Sequence, residues 1–221
     1  MSALDKTAYA LGKRDDQPNI ELARVLAAKK DVKGIREIVG GLRDTDDALA
    51  GDCIKVLYEI GTLNPELLVE YAGDFLDLLR SRNNRLVWGG MSALATVARA
   101  AAEEIYKEID TVLKAFRTGS VITVDRGVSV LAGVCRAGQR YAKVLWPVIV
   151  RHLSTCRPKE VPQHAERALA AVTARNAAEF REVLSKRLPQ VSANQARRIN
   201  KVLAAVSQSI TAKARAYVIR P

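Results

Sequence analysis

Few residues in this chain have side chains suited to catalysis or metal binding. The 221 residues include two histidines and three cysteines, and His152, Cys156 and His164 lie near one another in sequence. Imidazole nitrogen and thiolate sulfur are ligands of zinc, so these three could in principle bind one metal ion. Their spacing matches no standard zinc motif, and the intervening RPKEVP is typical of a loop. The sequence therefore predicts no metal site, and the widely separated cysteines predict no disulfide framework.

The common catalytic and cofactor-binding motifs are also absent from the sequence. It contains no phosphate-binding glycine loop, no GxSxG nucleophile elbow and no paired-histidine metal motif. Two histidines leave little for general acid-base chemistry, although aspartates and glutamates remain available. We therefore expect no catalytic residues, no cofactor and no enzyme activity.

The net charge of +11 is concentrated in the last third of the chain. Residues 140–221 contain 16 lysines and arginines but 4 aspartates and glutamates, whereas residues 1–139 are almost neutral. Such an asymmetry favours an acidic partner for this end, either a protein surface or a nucleic acid. The alternative interpretation is that the charge serves solubility alone.

Composition favours an all-helical protein. Hydrophobic residues make up 48% of the chain and aromatic residues 5%, and alanine and leucine dominate over the residue types typical of strands. The sequence has no apolar run of roughly 18 or more residues, which a membrane-spanning helix would need. Its N-terminal MSALDKTAYALGKRDD lacks the basic start and apolar centre of a signal peptide. We expect a cytoplasmic protein that does not bind membranes.

Two series of apolar residues recur along the chain with a period near 37 residues. The first series, here called the repeat leucines, is Leu57, Leu94, Leu131, Leu169 and Leu203. The second series is Leu42, Leu79, Phe116, Leu153 and Leu188. Because both series have the same period, each repeat contains two amphipathic helical segments, which predicts a helical hairpin.

The repeats predict an all-α fold, an α-solenoid of about five to six stacked antiparallel helical hairpins, because one hairpin cannot bury its apolar face alone. The first helices are expected to end near residues 43, 80, 117, 153 and 190. The second helices are expected at 46–61, 84–101, 122–138, 161–175 and 193–208. We predict a single domain over residues 1–221. It comprises an N-terminal capping unit at 1–30, with helices at 2–11 and 19–29, five repeats at 31–208, and a C-terminal extension at 209–221.

The chain resembles the HEAT-repeat family, with armadillo-like arrays as close relatives. The likeness rests on the paired-helix period, on LWPVIVRHL (residues 145–153), which is similar to a HEAT first helix with a proline in its middle, and on second helices of the ALATV type. It covers residues 31–208. The second helices depart from the usual Val-Arg opening of the family, since Val87 is followed by Trp88 and Val124 by Asp125.

Small residues recur four positions before the repeat leucines. The residues there are Cys53, Gly90, Gly127, Ala165 and Ile199, and four of these five are small. A small residue at a fixed height allows a neighbouring helix to approach closely, so Gly90 is predicted to be a packing residue. Gly89 lies one position earlier, where other repeats carry polar or charged residues, and is expected to face outward beside Trp88.

The predicted binding surface follows from the same alignment. Positions five and two before each repeat leucine, and five after it, share one helical face that turns basic from the second repeat onward. By resemblance to HEAT arrays, second helices line the concave surface that holds partners. The predicted partner-binding residues are Arg99, Arg126, Arg136, Arg167, Arg198, Lys201 and Trp88. The alternatives are that the arginines pair with acids of adjacent repeats, and that Trp88 fills space between repeats instead of stacking on a ligand.

The sequence thus favours a non-enzymatic interaction or scaffold protein that binds an acidic protein partner on its curved, C-terminally basic surface. The alternative is a nucleic-acid-binding HEAT-like protein, since DNA alkylation repair glycosylases are small, basic and HEAT-like. Trp88, Asp125 and Arg126 could take such roles, but no local motif supports that assignment. The sequence does not specify an oligomeric state.

Overall fold

A computed structural model of the chain describes the backbone of residues 2–218 and the side chains of residues 2–208. All regular structure in this range is helical, with no strand. No helix of the described residues combines the length and apolar character needed to cross a membrane.

Twelve α-helices occur between residues 2 and 218. They are α1 Gln17–Lys29, α2 Val32–Gly40, α3 Asp47–Leu63, α4 Ala72–Leu78, α5 Asn84–Val97, α6 Ala102–Lys107, α7 Ile109–Thr118, α8 Val121–Ala137, α9 Gln139–Thr155, α10 Val161–Ala168, α11 Ala177–Arg187 and α12 Ala193–Val218. Short 3-10 helices extend or precede several of them, at Leu4–Lys6, Gly41–Arg43, Pro65–Tyr71, Pro158–Glu160, Leu169–Ala171 and Leu188–Gln190.

The two helices of each predicted hairpin are confirmed, but the second helix expected at 84–101 ends at Val97, and the one expected at 161–175 ends as an α-helix at Ala168. The second helices are α3, α5, α8, α10 and α12, and the first helices that precede them are α2, α4, α7, α9 and α11. The helix expected at 2–11 is wrong, because only Leu4–Lys6 forms a 3-10 turn there. Residues 219–221 of the predicted C-terminal extension, and the side chains of residues 209–221, lie outside the described residues.

Side chains of acids and amides fix where several helices begin. Asp31 accepts a hydrogen bond from the Gly34 N–H at 3.0 Å, and Asp46 accepts one from the Ala48 N–H at 2.8 Å. Asn83 caps α5 in the same way. These side chains satisfy N–H groups that have no partner within the helix. Asn64 precedes Pro65 as expected for a cap, but its side chain makes no capping hydrogen bond.

The hairpins stack within two compact units, Met1–Val130 and Leu131–Pro221. In the first unit, α1 packs on α3 and α3 on α5, while α2 and α4 cover these second helices. In the second unit, α10 packs on α12 and α9 on α11. Second helices therefore stack on second helices, and in the second unit the first helix α9 stacks on the first helix α11, which is the arrangement of an α-solenoid.

The repeat leucines form the core only in the first three repeats. Leu57, Leu94 and Leu131 are fully buried. Leu169 and Leu203 are half-buried, and the fully or almost fully buried positions are Ala168 and Val202, one residue earlier. The buried register of the last two repeats is therefore shifted by one position from the predicted alignment.

Gly90 and Gly89 both lie where two helices approach closely. A Cβ atom on Gly90 would lie 2.9 Å from Leu78 Cβ and 2.9 Å from the Phe75 carbonyl oxygen, which confirms Gly90 as a packing residue. The outward orientation expected for Gly89 is wrong. Gly89 is buried, and a Cβ atom there would lie 2.8 Å from two side-chain atoms of Ile54 on α3. The glycine pair therefore permits α5 to approach α4 and α3 at the same height.

We expect Gly90→Ala and Gly89→Ala each to lower the free energy of unfolding by about 1–3 kcal/mol, because the added methyl group overpacks both contacts. Gly73→Ala is the matched control, since nothing lies within 4 Å of a Cβ atom at this position in α4. That control should be neutral or slightly stabilising through helix propensity. Urea unfolding followed by circular dichroism measures all three. Wild-type stability of Gly89→Ala would show that α3 and α5 separate without cost.

Candidate binding surfaces

A groove beside Trp88 is one of the concave sites of the first unit. The cavity has a volume of about 490 Å³ and is bounded by the N-terminal segment, α3 and α5. Its charged and aromatic lining includes Tyr9, Asp16, Asp52, Lys55, Tyr58, Arg85 and Trp88, and we call it the Trp88 groove. Sequence analysis identified Trp88 but missed Tyr9 and Arg85, because the N-terminal segment was expected to form a helix and Arg85 precedes the chosen helical face.

Aromatic rings form one wall of the Trp88 groove. The Trp88 and Tyr58 ring centroids lie 6.0 Å apart with an interplanar angle of 50°. The Lys55 ammonium lies 4.9 Å from the Tyr58 ring centroid, within the range of a cation–π contact. Trp88 is half-buried. It therefore packs between repeats and also keeps part of its surface open to the groove.

Asp52 connects the polar groups of the Trp88 groove. This side chain is 6% exposed and accepts hydrogen bonds from the Tyr9 backbone N–H at 2.7 Å and from Arg85 Nη2 at 3.1 Å. Lys55 Nζ lies 2.7 Å from Glu59 and 3.7 Å from Asp16. Cations and carboxylates alternate along the lining, so the groove presents both signs of charge to a ligand.

The predicted binding face is partly buried in the first two repeats. Asp52, Gly89 and Ser92 occupy the expected stripe positions, yet all three are buried. The Ser92 hydroxyl donates to the Trp88 carbonyl oxygen at 2.8 Å within its own helix. The second helices therefore pack on one another through this part of the face, whereas Thr62 and Arg99 of the same face are exposed.

The basic residues predicted in the first unit do not gather at the Trp88 groove. Arg99 is exposed just beyond the end of α5, and Arg126 is half-buried on α8. Neither lines the groove, and neither forms a hydrogen bond or ion pair within residues 2–208. Their role in binding stays a prediction.

The second unit brings three of the predicted cations together around Glu166. Arg198 on α12 makes two hydrogen bonds to the Glu166 carboxylate, Nε to Oε1 at 2.8 Å and Nη2 to Oε2 at 2.7 Å. These bonds hold the pKa of Glu166 below its usual value, and the positive charges of Arg167 and Lys201 lower it further. We call these four residues the Glu166 cluster. Arg198 therefore pairs with an acid of the adjacent second helix, as the alternative interpretation predicted.

Arg136 lies apart from the Glu166 cluster. Its side chain is exposed near the end of α8, and its Nη1 lies 3.5 Å from the Ala170 carbonyl oxygen. This is a weak contact with an exposed backbone group. Arg136 therefore stays a predicted contact residue on the edge of the second unit.

The second unit contains a cluster of two histidines and one cysteine, at which the sequence predicted no metal site. The structure brings His152, Cys156 and His164 together, with one ligand atom of each within 4.8 Å of the others. His152 Nε2 and His164 Nδ1 lie 2.9 Å apart. Burial lowers the pKa of His152 to about 4 and raises that of Cys156 to about 11. The missed signal was the short connection from α9 to α10, which returns the chain to the same place.

The chain matches no family model and no curated protein. Solved structures of similar fold include an engineered protein with a TM-score of 0.64 and 19% identity, covering 95% of this chain and 98% of that chain. A designed armadillo repeat protein in complex with the peptide (KR)4 has a TM-score of 0.60 and 13% identity, covering 91% of this chain and 100% of that chain. Computationally designed armadillo repeat proteins for modular peptide recognition have a TM-score of 0.59 and 15% identity, covering 92% of this chain and 98% of that chain. The fold of this chain is therefore that of a HEAT- or armadillo-like α-solenoid.

Proposed function

We propose that this chain is a non-enzymatic repeat scaffold that binds a protein partner, and that an acidic segment of the partner contacts the basic surface of the second unit. The observation that carries the proposal is the Glu166 cluster, in which three cations from two successive second helices face one carboxylate. The net positive charge of these four residues attracts a carboxylate from a partner.

The Arg198–Glu166 ion pair is weak enough for a partner to replace it. Both side chains are exposed by more than two fifths, Arg198 by 46% and Glu166 by 43%. Ion pairs at this exposure contribute about 0–1 kcal/mol, because water and salt screen them. A partner carboxylate can therefore take over the planar guanidinium of Arg198 at little cost.

The solved neighbours support the coarser part of the proposal. One designed armadillo repeat protein is in complex with the peptide (KR)4, and others were designed for modular peptide recognition. The peptide in that complex is basic. Because the second unit of this chain is basic, we expect its peptide to be acidic.

The Trp88 groove is the second candidate contact for the same protein partner. A half-exposed tryptophan bordered by charged groups is typical of residues that dominate binding energies. The glycosylase alternative has less support, because Asp125, the acid that would act in catalysis, is 7% exposed. Nucleic acid stays an outcome of the binding test.

We expect Glu166→Gln to strengthen binding of a labelled acidic peptide of alternating Asp and Glu by about two- to fivefold, because it releases Arg198. Combined Arg167→Ala, Arg198→Ala and Lys201→Ala changes should weaken the same peptide about tenfold at low salt. Fluorescence anisotropy measures both affinities. An unchanged affinity in both variants would contradict the proposal.

The matched control is the triple variant Arg24→Ala, Arg36→Ala and Arg82→Ala, which removes the same charge from exposed positions of the first unit. This control should bind the acidic peptide with an affinity within about twofold of the wild-type value. If it loses as much affinity as the cluster variant, net charge alone drives binding. Short duplex DNA is titrated in parallel. If DNA binds more tightly than the peptide, with a salt slope that falls by about 1 for each cation removed, the partner is a nucleic acid.

A further inference from the structure

The strongest unassigned feature lies where α9 ends and α10 begins. His152 lies in the last turn of α9, Cys156 follows this helix directly, and His164 lies in α10. One ligand atom of each residue lies within 4.8 Å of the other two. All three residues belong to the second unit.

The two histidine rings lie almost as two ligands of one metal ion would. His152 Nε2 and His164 Nδ1 face each other at 2.9 Å, with ring centroids 4.8 Å apart. Two ligands of a tetrahedral zinc ion, at bond lengths of about 2.0–2.3 Å, lie about 3.3–3.7 Å apart. A bound ion would therefore replace the hydrogen between the rings, move these nitrogens apart by a few tenths of an ångström and draw the sulfur inward.

Backbone contacts hold the cysteine beside the histidines. The Cys156 N–H donates to the His152 carbonyl oxygen at 2.8 Å, which ends α9. Arg187 on α11 donates to the carbonyl oxygens of both Ser154 and Cys156. Because the connection is fixed from two sides, little conformational entropy is lost when the three side chains converge on an ion.

The donor atoms decide which ion the cluster suits. Two imidazole nitrogens and one thiol sulfur favour a borderline ion such as Zn²⁺ over Mg²⁺ or Ca²⁺, which prefer oxygen. A thiolate offsets one positive charge of the ion, and the Glu160 carboxylate acts electrostatically on both rings. The Arg187 guanidinium opposes a cation, so the thiolate and Glu160 are needed for charge balance.

We propose that His152, Cys156 and His164 form a zinc-binding site with three protein ligands. The fourth position is open to water, and Glu160, in the Pro158–Glu160 turn between the ligands, pairs with Arg157 and acts on the site through its charge. Zinc there joins the end of α9 to α10, so it links the two helices of one repeat.

Cobalt is the probe for this site, because tetrahedral Co²⁺ bound to a thiolate absorbs visible light and shows a sulfur-to-metal charge-transfer band. The full chain is stripped with a chelator and titrated with Co²⁺, then with Zn²⁺. We expect one equivalent of cobalt to give both bands and zinc to remove them. A titration without a charge-transfer band would overturn the proposal.

Single cysteine variants test whether Cys156, and not one of the other two cysteines, binds the metal ion. Cys156→Ala should abolish the charge-transfer band and weaken zinc binding by at least about a hundredfold, since loss of an outer partner alone costs about 10–100-fold. Cys135→Ala is the matched control, because Cys135 lies buried in α8, and it should change the affinity less than about twofold. Retention of the band in Cys156→Ala would contradict the assignment.

His152→Ala removes one nitrogen ligand, together with its hydrogen bond to His164, and keeps the second ligand His164, which is 1% exposed. We expect this variant to keep its helical circular dichroism and to lose zinc affinity as Cys156→Ala does. Zinc should also raise the thermal midpoint of the wild-type chain but not that of either ligand variant. An equal rise in all three proteins would mean that zinc binds elsewhere.

Discussion

Arg187→Ala is expected to lower the free energy of unfolding of the second unit by about 2–4 kcal/mol. Arg187 is 5% exposed, and its guanidinium donates to the carbonyl oxygens of Ser154 and Cys156. These two oxygens lie at the C-terminal end of α9, where the helix leaves carbonyls without a partner of its own. Truncation removes two charge-assisted hydrogen bonds at once and leaves a cavity beneath the connection to α10.

Tryptophan fluorescence can assign that loss to one unit. The chain has two tryptophans, Trp88 in the first unit and Trp146 in the second. In a Trp88→Phe background, urea unfolding reports on Trp146, whose indole N–H donates to Glu179 on α11 at 2.6 Å. The matched control is Lys186→Ala on the same helix, which removes an exposed ion pair with Glu182 and should cost less than about 0.5 kcal/mol. Equal stability of both variants would mean that water replaces Arg187 at the helix end.

The repeat period was sufficient to predict the fold, because apolar residues that must be buried recur at the same positions of each hairpin. Each hairpin must cover the next, so the positions of α3, α5 and α8 follow from the spacing of Leu57, Leu94 and Leu131. The spacing changes to 38 and then 34 residues in the last two repeats. Those irregular intervals mark the place where the buried register shifts to Ala168 and Val202, so the predicted face lost its alignment there.

The candidate sites were less predictable because they depend on segments outside the repeat pattern. The Trp88 groove needs the N-terminal segment around Tyr9, which was expected to form a helix at 2–11 but has only one 3-10 turn there. The histidine and cysteine cluster needs a short connection that no spacing motif describes. Gly89 was assigned to the wrong face because a neighbouring helix, here through Ile54, can approach on a side that a single helical wheel leaves open.

The positive charge of the last third of the chain could be interpreted only with the structure. The sequence placed the positive excess in the last third of the chain, and the Glu166 cluster accounts for part of it. One carboxylate already engages Arg198, so a count of cations overstates what a partner meets. This is why removing Glu166 is a sharper test than removing one arginine.

Asp52→Ala is expected to destabilise the first unit by about 2–3 kcal/mol, because it leaves two hydrogen-bond donors without their acceptor. The Tyr9 N–H lies 2.7 Å from one carboxylate oxygen, and Arg85 Nη2 lies 3.1 Å from the other. Asp52 thereby ties the N-terminal segment and α5 to α3. Asp52→Asn should cost less, since an amide oxygen still accepts from the Tyr9 N–H while the charge opposite Arg85 is lost.

Trp88 fluorescence in a Trp146→Phe background measures this loss, and it also reports on the groove itself. The indole lies in the same cavity as Asp52, so release of the N-terminal segment should shift its emission to longer wavelength before global unfolding. Asp77→Ala is the control, because it removes an exposed ion pair with Arg80 and should cost less than about 0.5 kcal/mol. If Asp52→Ala unfolds at the wild-type urea concentration with unchanged emission, the N-terminal segment is held by its apolar contacts, and Asp52 contributes its charge to the groove without supporting the fold.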